Sequence, residues 1–305
     1  VNLSGLEHNP GFKLSLGFIR KAVFAVFYGD LLMNVANQVR PYEVNPGDTD
    51  KAIEDCMDFL LSEMNEGRGM SHKTMIANFD RIIDRFKSIP VAGEQKVRVG
   101  VVGEIYVKYS PLGNNNLEQF LLSEGAEPVV PGLADFVIFK IYNRDVDVDI
   151  YGGKWIKQAV CRVFAGYIKK KQRAMIDALK RSGRFRAPGD FDELHSYIKG
   201  YLGDGNKMGE GWLLTAEMLE LIHTGVPNIV CTQPFGCLPN HIVGKGMIRK
   251  LKDDYPWSNI VAIDYDPGAT KINQENRIKL MLANARGLQK QHEEEAAREA
   301  EPAGV

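Results

Sequence analysis

The sequence has little cysteine and no excess of charge, and each absence excludes a class of protein. Four cysteines among 305 residues are too few for a disulfide-stabilised secreted scaffold, and no signal peptide opens the chain. No run approaches the roughly 18 apolar residues that span a membrane. The net charge of -1 gives no overall field for nucleic acid. We therefore expect a cytoplasmic globular protein that binds neither membranes nor nucleic acid.

Two nucleotide-binding motifs are also missing. The chain has no GxGxxG pattern, which disfavours a dinucleotide site, and no Walker or actin-like phosphate loop. We therefore do not expect this chain to bind ATP by itself. Because its first residue is Val1 rather than Met, we also expect it to be part of a longer protein.

The hydrophobic pattern predicts an α/β protein that begins with a helical segment. Apolar residues recur at helical spacing in the first part of the chain, where Ser71 is a predicted helix start. Two later stretches alternate β-rich runs with helices, as parallel α/β units do. A long helix, predicted from Trp155 to Arg181, separates them. We predict a helical segment (1–95), a first α/β unit (96–152), the long helix with its loops (153–206), a second α/β unit (207–287) and a disordered charged tail (288–305).

The stretch NIVCTQPFGCLPNHIVGKG, residues 228–246, contains two of the four cysteines. Cys231 ends a predicted strand and Cys237 precedes the next helix, which is where ligands bind in open parallel sheets. The positive end of that helix would favour a thiolate. His241, in the first helical turn, is a candidate hydrogen-bond donor to a substrate or an alternative ligand.

Several interpretations of this cysteine pair remain open. Burial in the core is the ordinary state of cysteine, the spacing does not match a zinc site, and a disulfide is disfavoured in a reducing compartment. Ligation of an iron–sulfur cluster stays possible because cluster ligands need not be close in sequence. Cys56 and Cys161 lie in helical apolar patterns, and we predict that both belong to the core.

Two further motifs contain candidate site residues. Glu104 follows a predicted strand in VVGEIYV, where a carboxylate could orient a ligand or act as an acid or base; the alternative is a simple tight turn. Ser110 and Asn114 lie in SPLGNNN at a predicted helix start, an arrangement that could hold an anion such as a CoA phosphate. Helix capping explains the same residues equally well.

Three longer stretches carry a resemblance to a known family: GEIYVKYSPLGNNNLEQFLLSEGAE, GEGWLLTAEMLELIHTGVPNIVCTQPFGCLPNHIVGKGMIRKL and IVAIDYDPGATKINQENRIKLML. They resemble the carboxy-terminal part of large acyl-CoA dehydratase activase-related proteins, which is similar to 2-hydroxyacyl-CoA dehydratase subunits and double-cubane-cluster reductases. The resemblance extends from about Leu3 to Arg286. It implies two flavodoxin-like α/β units, each with a parallel sheet, that meet at a cysteine-bound [4Fe-4S] cluster.

The resemblance also implies a role and partners. An actin/Hsp70-type ATP-hydrolysing activator, upstream on the same chain, would deliver low-potential electrons for reduction or dehydration of an acyl-CoA-type substrate. Cys231 and Cys237 match the family motif and would supply a partial set of cluster ligands, and Glu104 would face the interface between the units. The alternative is a non-catalytic docking module of a multidomain activase, with buried structural cysteines.

Overall fold

The computed structural model describes residues 15–266 and 268–300, with side chains described as far as residue 290. It shows a mixed α/β protein, mostly helical, with one parallel sheet. The elements follow in this order: α1 (Leu16–Val39), α2 (Asp48–Asn65), α3 (His72–Lys87), β1 (Arg98–Gly103), α4 (Ile105–Tyr109), α5 (Leu117–Ser123), β2 (Glu127–Val129), α6 (Leu133–Tyr151), α7 (Trp155–Ser182), α8 (Phe191–Ser196), α9 (Leu213–His223), β3 (Asn228–Gln233), α10 (Ile248–Asp254), β4 (Asn259–Asp264) and α11 (Lys271–Ala300).

The four strands form one sheet in the order β2-β1-β3-β4, and all neighbours are parallel. The prediction of two separate sheets is therefore wrong. Each predicted unit supplies only two strands, and a two-stranded sheet is marginal by itself. Strands β1 and β3 are buried along nearly their whole length, so each requires a partner strand on both edges. Pairing β1 with β3 gives both of them that partner.

The predicted amino-terminal helices are confirmed, and a capping interaction explains where α3 begins. Ser71 starts α3, because its hydroxyl accepts the N–H of Thr74 at 3.1 Å and the Thr74 hydroxyl accepts the N–H of Ser71. The long helix predicted from Trp155 is α7. At the other end, α11 continues through Ala300 although the sequence analysis predicts a disordered tail from residue 288, and residues 301–305 lie outside the described part.

Among the described residues, the buried apolar side chains form three clusters that join the helices to the sheet. The largest joins α1, α2 and α3 to α6, α7, α8 and α9, around Phe27, Phe79 and Trp212. A second covers one face of the sheet beneath α5 and α11, and a third covers the opposite face beneath α9 and α10. The helical segment also packs along the edge strand β2 through α1. Among the described helices, none is long and apolar enough to cross a membrane.

The helix predicted after residue 240 is divided into three pieces. A π-helical turn, Asn240–Gly244, is followed by a 3-10 turn, Lys245–Met247, and only then by α10. Gly244 and Gly246 account for the division, because glycine is a poor helix former. Short π-helical turns are frequent at functional sites. Here the turn holds Asn240 and His241 at the carboxyl edge of the sheet.

Candidate functional site

The candidate site lies where β1, β3 and β4 end side by side, at the carboxyl edge of the sheet. Gly103 ends β1 opposite Thr232 of β3. Its backbone has a φ of +148°, and a Cβ atom there would lie 1.9 Å from the carbonyl oxygen of Thr232. Only glycine allows the two strands to approach this closely. The loops that follow β1 and β3 are thereby brought together.

Cys237 is the thiol that faces this edge. It is partly exposed, and its Sγ accepts a hydrogen bond from Asn240 Nδ2 at 3.3 Å. Asn240 is fully buried, and its Nδ2 also donates to Glu210 Oε2 at 3.1 Å. The Oδ1 atom of Asn240 is buried with no hydrogen-bond partner among the described residues. The buried side-chain amide of Asn240 therefore contacts the Cys237 sulfur, and its Oδ1 has no donor among the described residues.

Glu210 is a site residue that the sequence analysis missed. It is buried, and its Oε1 accepts the N–H of Ile105 at 3.4 Å, which ties it to the loop after β1. Burial is the largest cause of the raised pKa of its carboxyl group, and the nearby charge of Glu104 adds to it. The sequence contains a signal for Glu210, because it lies between two glycines, Gly209 and Gly211. In the structure both glycines adopt left-handed φ angles.

Cys231 lies in a different environment from Cys237. It is fully buried on β3, in the apolar cluster that includes Val102, Met218 and Leu251. Burial raises the pKa of its thiol to about 12. A cluster ligand must be a thiolate, so this environment opposes ligation.

His241 holds the cysteine loop in place. Its Nε2 accepts the N–H of Gly236 at 3.0 Å, and its Nδ1 lies 3.4 Å from Gln233 Nε2. Beside it, Gln233 is fully buried and donates from Nε2 to Asp264 Oδ1 at 2.6 Å, so the ends of β3 and β4 are joined. The Oε1 atom of Gln233 has no partner among the described residues. The hydrogen bond from Gly236 to the imidazole therefore stabilises the loop that contains Cys237.

Glu104, Ser110 and Asn114 all take part in helix ends. Glu104 is the N-cap of α4, and its Oε2 accepts the N–H of Val107 at 2.8 Å. Ser110 closes the same helix through its backbone N–H. Asn114 is buried, donates to the carbonyl oxygen of Val107 at 2.8 Å and accepts the N–H of Leu117 at 3.1 Å. Capping accounts for the side-chain positions of Glu104 and Asn114 and for the backbone position of Ser110.

The remaining two cysteines differ from each other. Cys56 is buried as predicted, and burial raises the pKa of its thiol. The prediction that Cys161 belongs to the core is wrong, because it is partly exposed on the first half of α7, which extends beyond the core. Across the described residues, no group of three or more His, Cys, Asp or Glu side chains could hold a metal ion. One thiol, Cys237, is thus available at the site, whereas a [4Fe-4S] cluster usually has four.

Comparison of the chain with protein-family models, with curated proteins and with solved structures finds no match in any of the three.

Proposed function

We propose that this chain is a 2-hydroxyacyl-CoA dehydratase-like module that contributes Cys237 as one ligand to a [4Fe-4S] cluster, with the other thiolates supplied from outside the described residues. The observation that carries the proposal is that Cys237, a partly exposed residue at the carboxyl edge of the sheet, has its sulfur hydrogen-bonded to buried Asn240. When bound, such a cluster supplies one-electron transfer at low potential. The described residues contain no group that could hold a metal ion by itself, so the proposal is a cluster shared with other thiolates.

The residues around Cys237 support this role. Hydrogen bonds to the ligand sulfurs tune an iron–sulfur cluster, and Asn240 donates such a bond from Nδ2 to Cys237 Sγ. Glu210 accepts from the same amide group and so orients it. Positioning of this kind around a metal ligand tunes both affinity and potential. Cys231 is left in the apolar core as a packing residue.

Glu210 replaces Glu104 as the proposed acid of the site. The carboxylate of Glu104 is engaged in capping α4. Because the pKa of Glu210 is raised, its carboxyl group holds a proton at pH values where an ordinary glutamate is ionised. It could therefore protonate an acyl-CoA-type substrate bound at this edge. His241 would keep the cysteine loop in place by accepting the N–H of Gly236.

The energy source is proposed to be an actin/Hsp70-type ATP-hydrolysing activator. This chain has no phosphate loop of its own, so ATP binding and electron delivery would come from activator domains outside it. Those domains would approach the edge at which Cys237 is exposed.

The test is the iron content of a protein that carries both the activator domains and this region, after anaerobic reconstitution. Cys237→Ala is expected to lower iron per chain. Cys161→Ala is the matched control, since that thiol is also partly exposed but lies on α7, and it is expected to keep its iron. Undiminished iron in the Cys237 variant would contradict the proposal. A loss in the Cys161 variant would show that the wrong cysteine had been chosen.

A second candidate is a non-catalytic docking module with structural cysteines. Two observations favour it: Cys56 and Cys231 are both buried, and the described residues offer no complete ligand set. This candidate expects no visible iron–sulfur absorbance after reconstitution, with or without the activator. The same experiment therefore separates the two functions.

A further inference from the structure

The first half of α7 exposes more apolar surface than a solvated helix does. Trp155 is 73% exposed, Val160 62% and Val163 75%. Ile156 and Tyr167 are exposed as well. Scattered apolar residues are ordinary on a surface, but a contiguous patch of them marks an interaction site.

The exposed residues follow the spacing of a helix-pairing seam. Ile156, Val160, Val163 and Tyr167, here called the α7 stripe, are separated by four, three and four positions. That alternation repeats every seven residues, so the side chains stay on one line along the helix. A second helix lying alongside can place its own side chains between them. The stripe is therefore shaped for a helical partner.

A groove beside the stripe enlarges this surface. Helices α1, α6 and α7 enclose an apolar groove of about 370 Å³, and its walls include Ile19, Val23, Val26, Phe136, Phe164 and Ile168. Phe164 also stacks with Tyr167 of the stripe, with ring centroids 6.3 Å apart. Stripe and groove thus form one continuous apolar face.

Charge around this face selects the partner. Lys154 and Lys157 at one end of the stripe, and Lys170 at the other, are exposed and have no ion-pair partner among the described residues. Two carboxylates of α6 lie nearby and are already engaged, Asp145 with Arg162 and Asp149 with the amide of Gln158. From Trp155 onwards α7 carries no acidic residue before Asp177. Two copies of α7 would therefore bring lysines together, whereas an acidic helix would be attracted.

We propose that the α7 stripe is a docking surface for one amphipathic helix of a partner protein, with an apolar seam flanked by Asp and Glu. The apolar seam would lie on the stripe and fill the groove. The acidic flanks would pair with the lysines at its two ends. This inference does not depend on Cys237 or on iron.

The test uses a synthetic three-heptad peptide with leucine at the seam positions and glutamate at the flanking positions, and a twin in which lysine replaces each glutamate. Trp155 fluorescence reports binding. The Trp257→Phe variant removes the other exposed tryptophan, and Trp212 is fully buried. We expect the glutamate peptide to bind at least about tenfold more tightly than the lysine peptide. A Val160→Glu, Val163→Glu double variant is expected to weaken that binding by about tenfold or more.

The control is Leu112→Glu, which alters an apolar residue that is 86% exposed on the loop before α5. It should bind the glutamate peptide as the unaltered chain does. Because all the altered residues are exposed, the variants are expected to fold, and circular dichroism checks this. Equal binding of both peptides, or binding of neither, would overturn the proposal. So would sedimentation showing a dimer that Val163→Glu separates, since a second copy would then cover the stripe.

Discussion

Replacing Glu220 with Gln is expected to change how the stability of the protein depends on pH. Glu220 lies on α9, beside a cavity of about 90 Å³ that Asp30 also lines. Its Oε1 accepts the N–H of Gly189 at 2.8 Å. Burial is the largest cause that raises its pKa from 4.5 to about 7, with Glu217 and Glu193 raising it further and Lys108 lowering it. The folded chain therefore holds a proton that the unfolded chain releases.

The sign and size of the effect follow from this difference. Between pH 4.5 and about 7 the unfolded state loses the Glu220 proton first, so rising pH favours unfolding. A pKa raised from 4.5 to about 7 corresponds to about 3 kcal/mol in total. Of this, about 2.5 kcal/mol is lost between roughly pH 5 and pH 8. The raised pKa values of Asp30 and Asp135, also caused by burial, act in the same direction in the unaltered chain.

The assay is urea unfolding of the unaltered chain and of Glu220→Gln across that pH range. Glutamine keeps an oxygen for the Gly189 N–H but cannot ionise. Between pH 5 and pH 8 the free energy of unfolding of the variant should therefore fall by about 2.5 kcal/mol less than that of the unaltered chain. Glu54→Gln, at an exposed position, should leave the pH profile unchanged. Parallel profiles for the unaltered chain and Glu220→Gln would refute the reasoning.

Three further predictions concern the stability of the fold. Lys108 Nζ lies 2.7 Å from Glu217 Oε1 in a fully buried pair. Lys108→Met or Glu217→Gln alone should lower the free energy of unfolding by about 3 to 5 kcal/mol, and a double-mutant cycle in urea should show that the double variant loses less than the sum of the two. Gly103→Ala should destabilise by more than about 2 kcal/mol, whereas Gly29→Ala, in an open helical position, should stabilise slightly in thermal melts. Ser71→Ala should cost about 1 kcal/mol in urea through loss of the α3 cap.

Much of the helical structure could be predicted from local patterns. The cap at Ser71 and the apolar spacing of α7 depend on neighbouring residues, which the sequence displays directly. The pairing of β1 with β3 could not be predicted from the sequence. Both strands are continuous buried runs, and such runs have no alternation of apolar and polar residues that would reveal a register or a partner strand. That is why one sheet was predicted as two.

Part of the arrangement at the carboxyl edge of the sheet could be predicted from the sequence, and the rest could not for physical reasons. Cys237 lies at the predicted edge because loops after parallel strands meet there. Cys231 has a similar place in the sequence, but its position in β3 directs its side chain to a face covered by helices. Glu210 comes from a loop far away in the chain, and only the fold brings it to Asn240. The exposure of Cys161 depends on where the core ends, which helical spacing does not reveal.

The most direct test of the central claim is ligand exchange at Cys237. Cys237→Ser replaces a thiolate with a hydroxyl, so a cluster bound there should keep iron but give a changed electron paramagnetic resonance spectrum when reduced, since ligand type sets the electronic properties of the cluster. The protein used is one that carries the activator domains together with this region. Cys231→Ser, in the apolar core, should leave the spectrum as it is. An unchanged spectrum for Cys237→Ser, or a change confined to Cys231→Ser, would contradict the assignment of Cys237 as the ligand.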